Sequence, residues 1–125
     1  MNAVMLYAGA AVVILWGVAH IAIPTRSIVD GFGPISADNR RTLLMEWLME
    51  GVLLIFIGTL VILMTTLTHH EGQPAVIVYR ACAVVLVVMA GISIFTGART
   101  SILPMKLCPL IFLAAALLFL LPTVL

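Results

Sequence analysis

Charged residues are scarce in this chain of 125 residues, making up 9% of it beside 64% hydrophobic residues. A soluble domain carries about 25% charged residues, because it must cover a surface that faces water. The mean hydropathy of +1.29 and apolar runs of about 20 residues, the length that crosses a bilayer, therefore predict an integral membrane protein. The formal net charge of +1 gives no electrostatic reason to expect a nucleic acid as partner, so none is predicted.

Cysteine is almost lacking, and its two copies are not arranged for redox chemistry. Cys82 falls near the outer end of the third apolar run and Cys108 near the inner end of the fourth, with no Cys-x-x-Cys motif. The thickness of a membrane would separate them, well beyond the roughly 7 Å between Cα atoms that a disulfide allows. The pattern argues against a thiol oxidoreductase and indicates two thiols that serve in packing.

Alternation of apolar and polar residues is also lacking, which argues for an all-α membrane protein and against a transmembrane β-barrel. The predicted spans lie within a single transmembrane domain, 1–125, at about 4–23, 43–67, 75–97 and 103–121. Short connections between consecutive spans predict four transmembrane helices in an up-down-up-down bundle. Ser36, ahead of the second span, is a predicted N-cap, and Asp38 in the first turn favours the helix dipole.

Basic residues are few, and most of them fall on one side of the predicted bundle. Those in or near the connections after the first and third spans are Arg26, Arg40, Arg41, Arg99 and Lys106. The positive-inside rule places these connections in the cytoplasm and both termini outside. Arg80 is the remaining basic residue, and it follows Tyr79 near the start of the third span, where the two resemble an interfacial anchor with a snorkelling cation.

Acidic residues within the apolar runs are limited to Glu46 and Glu50, at the start of the second span. Because they are four residues apart, they share one helix face, which must look toward other helices, water or a ligand rather than acyl chains. His20 lies one turn from the same end of the first span, with Trp16 on its face, and Arg99 closes the third span. We therefore expect a polar layer of Trp16, His20, Glu46, Glu50 and Arg99 near the cytoplasmic boundary.

Two interpretations of this layer stay open. As a functional site, carboxylates beside a histidine can pass protons, bind a cation or act as general acid and base. The candidate catalytic residues are then Glu50, Glu46 and His20. As a structural feature, an ion pair from Glu46 to Arg99 or Arg26 would pin two helices together.

Neither a metal nor a cofactor is predicted. Glu46, Glu50 and His20 offer oxygen and nitrogen ligands from two helices. Di-iron bundles, however, repeat Glu-x-x-His on two helices, and this chain has no such motif. Haem is disfavoured because His20 is the only histidine within a predicted span and no second axial ligand stands out. The expected metal content is therefore none, and the cofactor stays unknown.

Short segments in the first half of the chain resemble a known group of proteins. They are Pro24-Thr25-Arg26, Gly31-Phe32-Gly33, Ser36 to Arg41, Met45-Glu46-Trp47 and Glu50-Gly51. Together they resemble uncharacterised small bacterial four-span integral membrane proteins of unassigned function. The resemblance implies a multi-pass protein of the bacterial inner (plasma) membrane, and it implies no activity.

Two hypotheses about function follow. The first is a small integral membrane protein that acts as an oligomeric or accessory subunit, for example in transport, with membrane lipid and either further copies or a larger membrane complex as partners. The second is a membrane-embedded enzyme that acts on a lipid, sterol-like or quinone substrate by acid–base chemistry. The enzyme requires an apolar cavity that is open to lipid and lined by both Glu46 and Glu50. The subunit requires glutamates tied to Arg99, Arg26 or a neighbouring chain, and no cavity.

Overall fold

The computed structural model describes residues 2–22, 25–69 and 72–125, and all regular structure within these ranges is helical. The elements are α1 Ala3–Ala22, α2 Thr25–Asp30, α3 Ala37–Leu67, α4 Gln73–Phe95, a 3₁₀ turn Gly97–Arg99, α5 Leu103–Leu120 and a 3₁₀ turn Leu121–Thr123. The prediction of an all-helical chain is confirmed. Among the described helices, α1, α3, α4 and α5 are long and apolar enough to cross a membrane.

The first turns of α3 precede the predicted span, which starts at 43. The Ser36 hydroxyl accepts a hydrogen bond of 3.2 Å from the Asn39 backbone N–H, and the helix begins at Ala37. With 31 residues and a rise of 1.5 Å, α3 is about 46 Å long, whereas a hydrocarbon core is about 30 Å thick. The helix is therefore longer than a membrane crossing requires. In its N-terminal turns, Arg40 forms an ion pair of 2.7 Å with Asp30.

Small residues bring α1 and α3 into close contact. Gly17 lies against Gly51, and a Cβ atom on Gly17 would be only 2.6 Å from the Gly51 carbonyl oxygen. Farther along, Gly58 lies against Ala10 and Ile14 in the same way. Small residues at such positions let two backbones approach, as in helix pairs within membranes. The contacts follow opposite chain directions along the two helices.

The last long helix, α5, lies against both α1 and α4. Its Phe112 and Phe119 rings are fully buried, and Phe119 fills the space beside Gly9 of α1, where a Cβ atom would lie 2.7 Å from the ring. The largest fully buried aliphatic side chains of the same core are Leu6, Val13, Leu54, Val61 and Leu86. Van der Waals contact among these side chains holds the four long helices together, whatever solvent surrounds them.

Contact between α3 and α4 is much less extensive than contact between α3 and α1. Near their connection, the hydroxyls of Thr65 and Tyr79 form a buried hydrogen bond of 3.0 Å. The prediction that Tyr79 is an interfacial anchor is wrong, because its side chain is fully buried. Arg80 is exposed, and its guanidinium donates to the hydroxyl and the carbonyl of Thr123 at 3.2 and 3.1 Å.

Candidate functional site

His20 is a buried histidine on α1 whose imidazole ring is held on several sides. Its exposed fraction is 2%, and Nδ1 lies 2.9 Å from the backbone carbonyl oxygen of Trp16. Because a carbonyl oxygen only accepts hydrogen bonds, Nδ1 carries a proton. The Trp16 ring meets the imidazole edge-on at 5.5 Å between centroids, and the Trp47 ring stacks on it at 4.5 Å. These contacts fix the ring orientation and direct Nε2 toward α3.

Glu50 of α3 lies opposite His20. Its Oε1 atom is 3.7 Å from His20 Nε2, and its side chain is 30% exposed. The approach depends on the next residue, Gly51, because a Cβ atom there would lie 2.9 Å from the Gly17 carbonyl oxygen and 3.0 Å from His20 Cβ. A residue larger than glycine at position 51 would push α3 away from α1. The sequence Glu50-Gly51 therefore allows the Glu50 carboxylate to lie close to His20.

A cavity of about 590 Å³ lies between α3, α4 and α5. Both glutamates line it, with Glu46 exposed and Glu50 one helical turn farther along. The other lining residues include the apolar side chains of Leu53, Met89, Ile92, Met105 and Phe112 and the hydroxyls of Ser93 and Thr96. Ligand sites have volumes of roughly 300–1,000 Å³ and combine mostly apolar walls with a few polar groups, so this cavity has the size and the lining of one.

Trp47 adds a hydrogen-bond donor to the cavity wall. It lines the cavity, and its buried Nε1 has no hydrogen-bond partner within the described chain. Because buried polar groups nearly always find a partner, this unmet donor is an exception that the contacts of the described chain do not explain. The predicted polar layer did not include this residue.

Cys108 of α5 meets His20 and Glu50, which the sequence did not predict. One nitrogen, one carboxylate oxygen and one sulfur from these three residues all lie within 4.8 Å of one another. The Cys108 thiol also donates to the Pro104 carbonyl at 3.3 Å. All three residues are predicted at the same end of their spans, so a comparison of their depths would have suggested that they lie close together. Nothing in the sequence indicates which face of α5 turns inward.

Arg99 does not join this group. It ends the 3₁₀ turn after α4, and its guanidinium carbon lies 5.5 Å from the centroid of the Phe95 ring. Within the described residues, no ion pair links Arg99 to either glutamate, and the side chain of Arg26 lies outside the described part of the chain. The structure therefore brings together Trp16, His20 and Glu50, places Glu46 in the cavity lining and leaves Arg99 apart.

Comparison with known proteins adds no relative to these observations. No protein-family model, no curated protein and no solved structure matches this chain. Its class is therefore stated on the structure alone, as a protein of four long helices that are apolar enough to cross a membrane. The distinguishing feature of this protein is a mostly apolar cavity lined by two glutamates.

Proposed function

We propose that the protein is a membrane-embedded enzyme that binds an amphipathic molecule of lipid, sterol-like or quinone type and acts on its polar end by acid–base chemistry. The observation that carries the proposal is the mostly apolar cavity of about 590 Å³ with both Glu46 and Glu50 in its lining. The enzyme hypothesis required such a cavity. The subunit hypothesis required glutamates tied to Arg99, Arg26 or a neighbouring chain, and no cavity. The described residues contain the cavity and no ion pair between either glutamate and Arg99.

The residues that line the cavity indicate which kind of molecule it would bind. Leu53, Met89 and Ile92 offer an apolar surface to a hydrocarbon body. Glu46 and Glu50 offer carboxyl groups to a hydroxyl or carbonyl oxygen at the polar end of such a molecule. A glutamic acid can donate a proton to that oxygen and a glutamate can accept one from it, which is general acid–base catalysis. The ligand therefore has a hydrocarbon body and one oxygen-bearing end.

The proposal includes a placement in the bacterial inner membrane with the four long helices alternating in direction. The opposite chain directions of the contacts between α1 and α3 support the alternation, as do the short connections between the long helices. The basic residues near the first and third connections support a cytoplasmic location for both. Both termini then face outward, and Glu46 lies in the cytoplasmic half.

The test is to identify what the protein retains when it is extracted from its native membrane in polymer-bounded lipid discs. Small molecules released from the purified protein are identified by mass spectrometry and quantified per chain. We expect a near-stoichiometric molecule, enriched over the surrounding lipid, with a hydrocarbon body and one hydroxyl, carbonyl or acidic end.

Two substitutions on α4 make a matched comparison. Ser93→Phe fills the cavity, and Ile94→Phe adds a ring at the neighbouring position, which is 44% exposed and outside the lining. Ser93→Phe should lower retention at least tenfold, which corresponds to about 1.4 kcal/mol of binding free energy, and Ile94→Phe should leave it unchanged. Equal retention by both variants, or a wild-type protein that carries only the bulk lipid mixture, would contradict the proposal.

A further inference from the structure

The geometry points to a binding site for one divalent metal ion of the zinc class, formed by His20, Glu50 and Cys108 in the wall of the cavity. The three residues come from α1, α3 and α5, and one ligand atom from each lies within 4.8 Å of the other two. This site goes beyond the proposed function, because its ligand set stands whether or not the cavity holds a substrate. It also departs from the sequence prediction, which expected no metal and treated Cys108 as a packing thiol.

The distances suit a tetrahedral ion. With bonds of about 2.0–2.2 Å to nitrogen and oxygen and about 2.3 Å to sulfur, the ligand atoms of such a site lie roughly 3.3–3.8 Å apart. His20 Nε2 and Glu50 Oε1 are 3.7 Å apart, a few tenths of an ångström more than the roughly 3.3–3.5 Å of a nitrogen–oxygen pair in such a site. The other separations are at most 4.8 Å, so they need to shorten by at most about 1.3 Å.

His20 is prepared as a ligand. Its Nδ1–H donates to the Trp16 carbonyl at 2.9 Å, and metal-binding histidines almost always donate their second ring nitrogen to a carbonyl or carboxylate in this way. In the neutral imidazole, Nε2 then carries the lone pair that a metal needs, and this atom lies 3.7 Å from Glu50 Oε1. The Trp16 and Trp47 rings hold the imidazole in this orientation, so little side-chain freedom remains to be lost on binding.

The donor set selects the class of metal. Imidazole nitrogen, carboxylate oxygen and thiolate sulfur together suit Zn²⁺, whereas Mg²⁺ and Ca²⁺ take oxygen ligands. A thiolate and a carboxylate balance the two positive charges of the ion, so no net charge is left in a largely buried place.

Three protein ligands leave one tetrahedral position open, as in catalytic rather than structural zinc sites. Both Glu50 and Cys108 line the cavity, so the site would adjoin the space where the polar end of a ligand would lie. With Glu50 bound to the metal, Glu46 is the carboxyl group of the described cavity lining that stays able to exchange a proton.

The experiment loads the purified, untagged full chain in detergent with Zn²⁺ and, separately, with Co²⁺, whose optical spectrum reports its ligands. Metal that stays bound after removal of the excess is measured by elemental mass spectrometry. We expect a single equivalent per chain, with a thiolate-to-cobalt charge-transfer band in the near ultraviolet. Cys108→Ser should remove the band and weaken binding at least about 100-fold, and Glu50→Gln should weaken it similarly.

The controls are a thiol and a histidine elsewhere in the protein. Cys82→Ser removes the other buried cysteine, and His69→Asn removes an exposed histidine while suiting its positive φ of 49°; both should bind metal as the wild type does. Failure of the wild type to bind metal, binding unaffected by Cys108→Ser, or binding that depends on His69 would overturn the site. If Cys108→Ser does not fold by circular dichroism, Glu50→Gln decides by the same criterion.

The proposal of a metal site and the proposal of an enzyme can be contradicted independently of each other. Ser93→Phe leaves all three metal ligands in place, so it should lose the retained molecule and keep the metal. A wild-type protein that retains its molecule but takes up no metal would overturn only the metal site. One that binds metal through Cys108 but retains no molecule would overturn only the enzyme.

Discussion

Gly17 of α1 and Gly51 of α3 touch backbone to backbone, so that a Cβ atom on Gly51 would lie 2.9 Å from the Gly17 carbonyl oxygen. Each glycine stands beside the site in the chain, since Gly51 follows Glu50 and Gly17 lies one turn before His20. The contact that joins the two helices therefore also sets the 3.7 Å between Glu50 and His20. A side chain at either glycine would separate both pairs.

Gly17→Ala should lower the free energy of unfolding by roughly 1–3 kcal/mol, the usual cost of overpacking, because the added methyl group forces two backbones apart. Gly91→Ala is the matched control, since α4 has open space around Gly91 and alanine favours a helix by about 1 kcal/mol over glycine. Thermal unfolding in detergent, followed by circular dichroism, compares the two variants. Equal melting temperatures for both would show that the glycine contact is not tight.

The hydrogen bond between Thr65 and Tyr79 gives an asymmetric prediction. The Thr65 hydroxyl donates to the Val61 carbonyl at 2.7 Å, so Tyr79 is the donor in the bond between the two hydroxyls. Thr65→Val should cost roughly 1–3 kcal/mol, because it leaves a buried hydroxyl without an acceptor. Tyr79→Phe removes the donor itself and should cost only about 0.6 kcal/mol. Unfolding measurements that found Tyr79→Phe the more harmful change would reverse the assignment of donor and acceptor.

Glu50→Gln separates a chemical role of the carboxyl group from a structural one. Glutamine keeps its size and polarity but neither gains nor loses a proton, so the free energy of unfolding should change by less than about 1 kcal/mol. Turnover of the retained molecule should fall at least about 100-fold, as after loss of a general acid or base or of a metal ligand. Asp38→Asn, an exposed change on the same helix, should leave turnover unaltered. Loss of the folded protein with Glu50→Gln would instead assign a structural role.

The direction of the chain across the membrane can be read from single cysteines in a Cys82→Ser, Cys108→Ser background. A membrane-impermeant maleimide added outside intact spheroplasts should label Gln73→Cys, at the start of α4, and should reach Ser101→Cys only after lysis. Both positions are exposed. Labelling of the two from the same side would rule out alternating helices, and an exchange of the two results would reverse the orientation.

Local chemistry explains what the sequence could predict. Continuous apolar runs predict helices because a helix satisfies its own backbone groups where water is absent. Two glutamates four residues apart share a face because of helix geometry alone, and the structure has both Glu46 and Glu50 lining one cavity. The Ser36 N-cap is another local feature, since it concerns residues within one turn of each other.

Features that depend on how one helix is rotated against another could not be predicted in this way. Cys108 lies near His20 because the face of α5 that carries it is turned toward α1. The sequence of α5 is apolar on every side, so it does not indicate which face turns inward. Tyr79 is buried because Thr65 on a neighbouring helix offers it an acceptor. Arg99 lies apart because α4 ends at Phe95 and the chain bends into a 3₁₀ turn, so an extrapolated helix puts its side chain in the wrong place.

The sparse contact between α3 and α4 has a consequence for how a molecule would arrive. Met49 and Ile92, which are 60% and 61% exposed, stand on opposite sides of the cavity. In a bilayer both side chains would touch acyl chains. A hydrophobic solute could therefore enter the cavity laterally, between α3 and α4, from its own leaflet and without dissolving in water. Such solutes accumulate in lipid. Occupancy of the cavity would then depend on the concentration of the solute within the leaflet, and even a weakly bound solute could occupy the cavity.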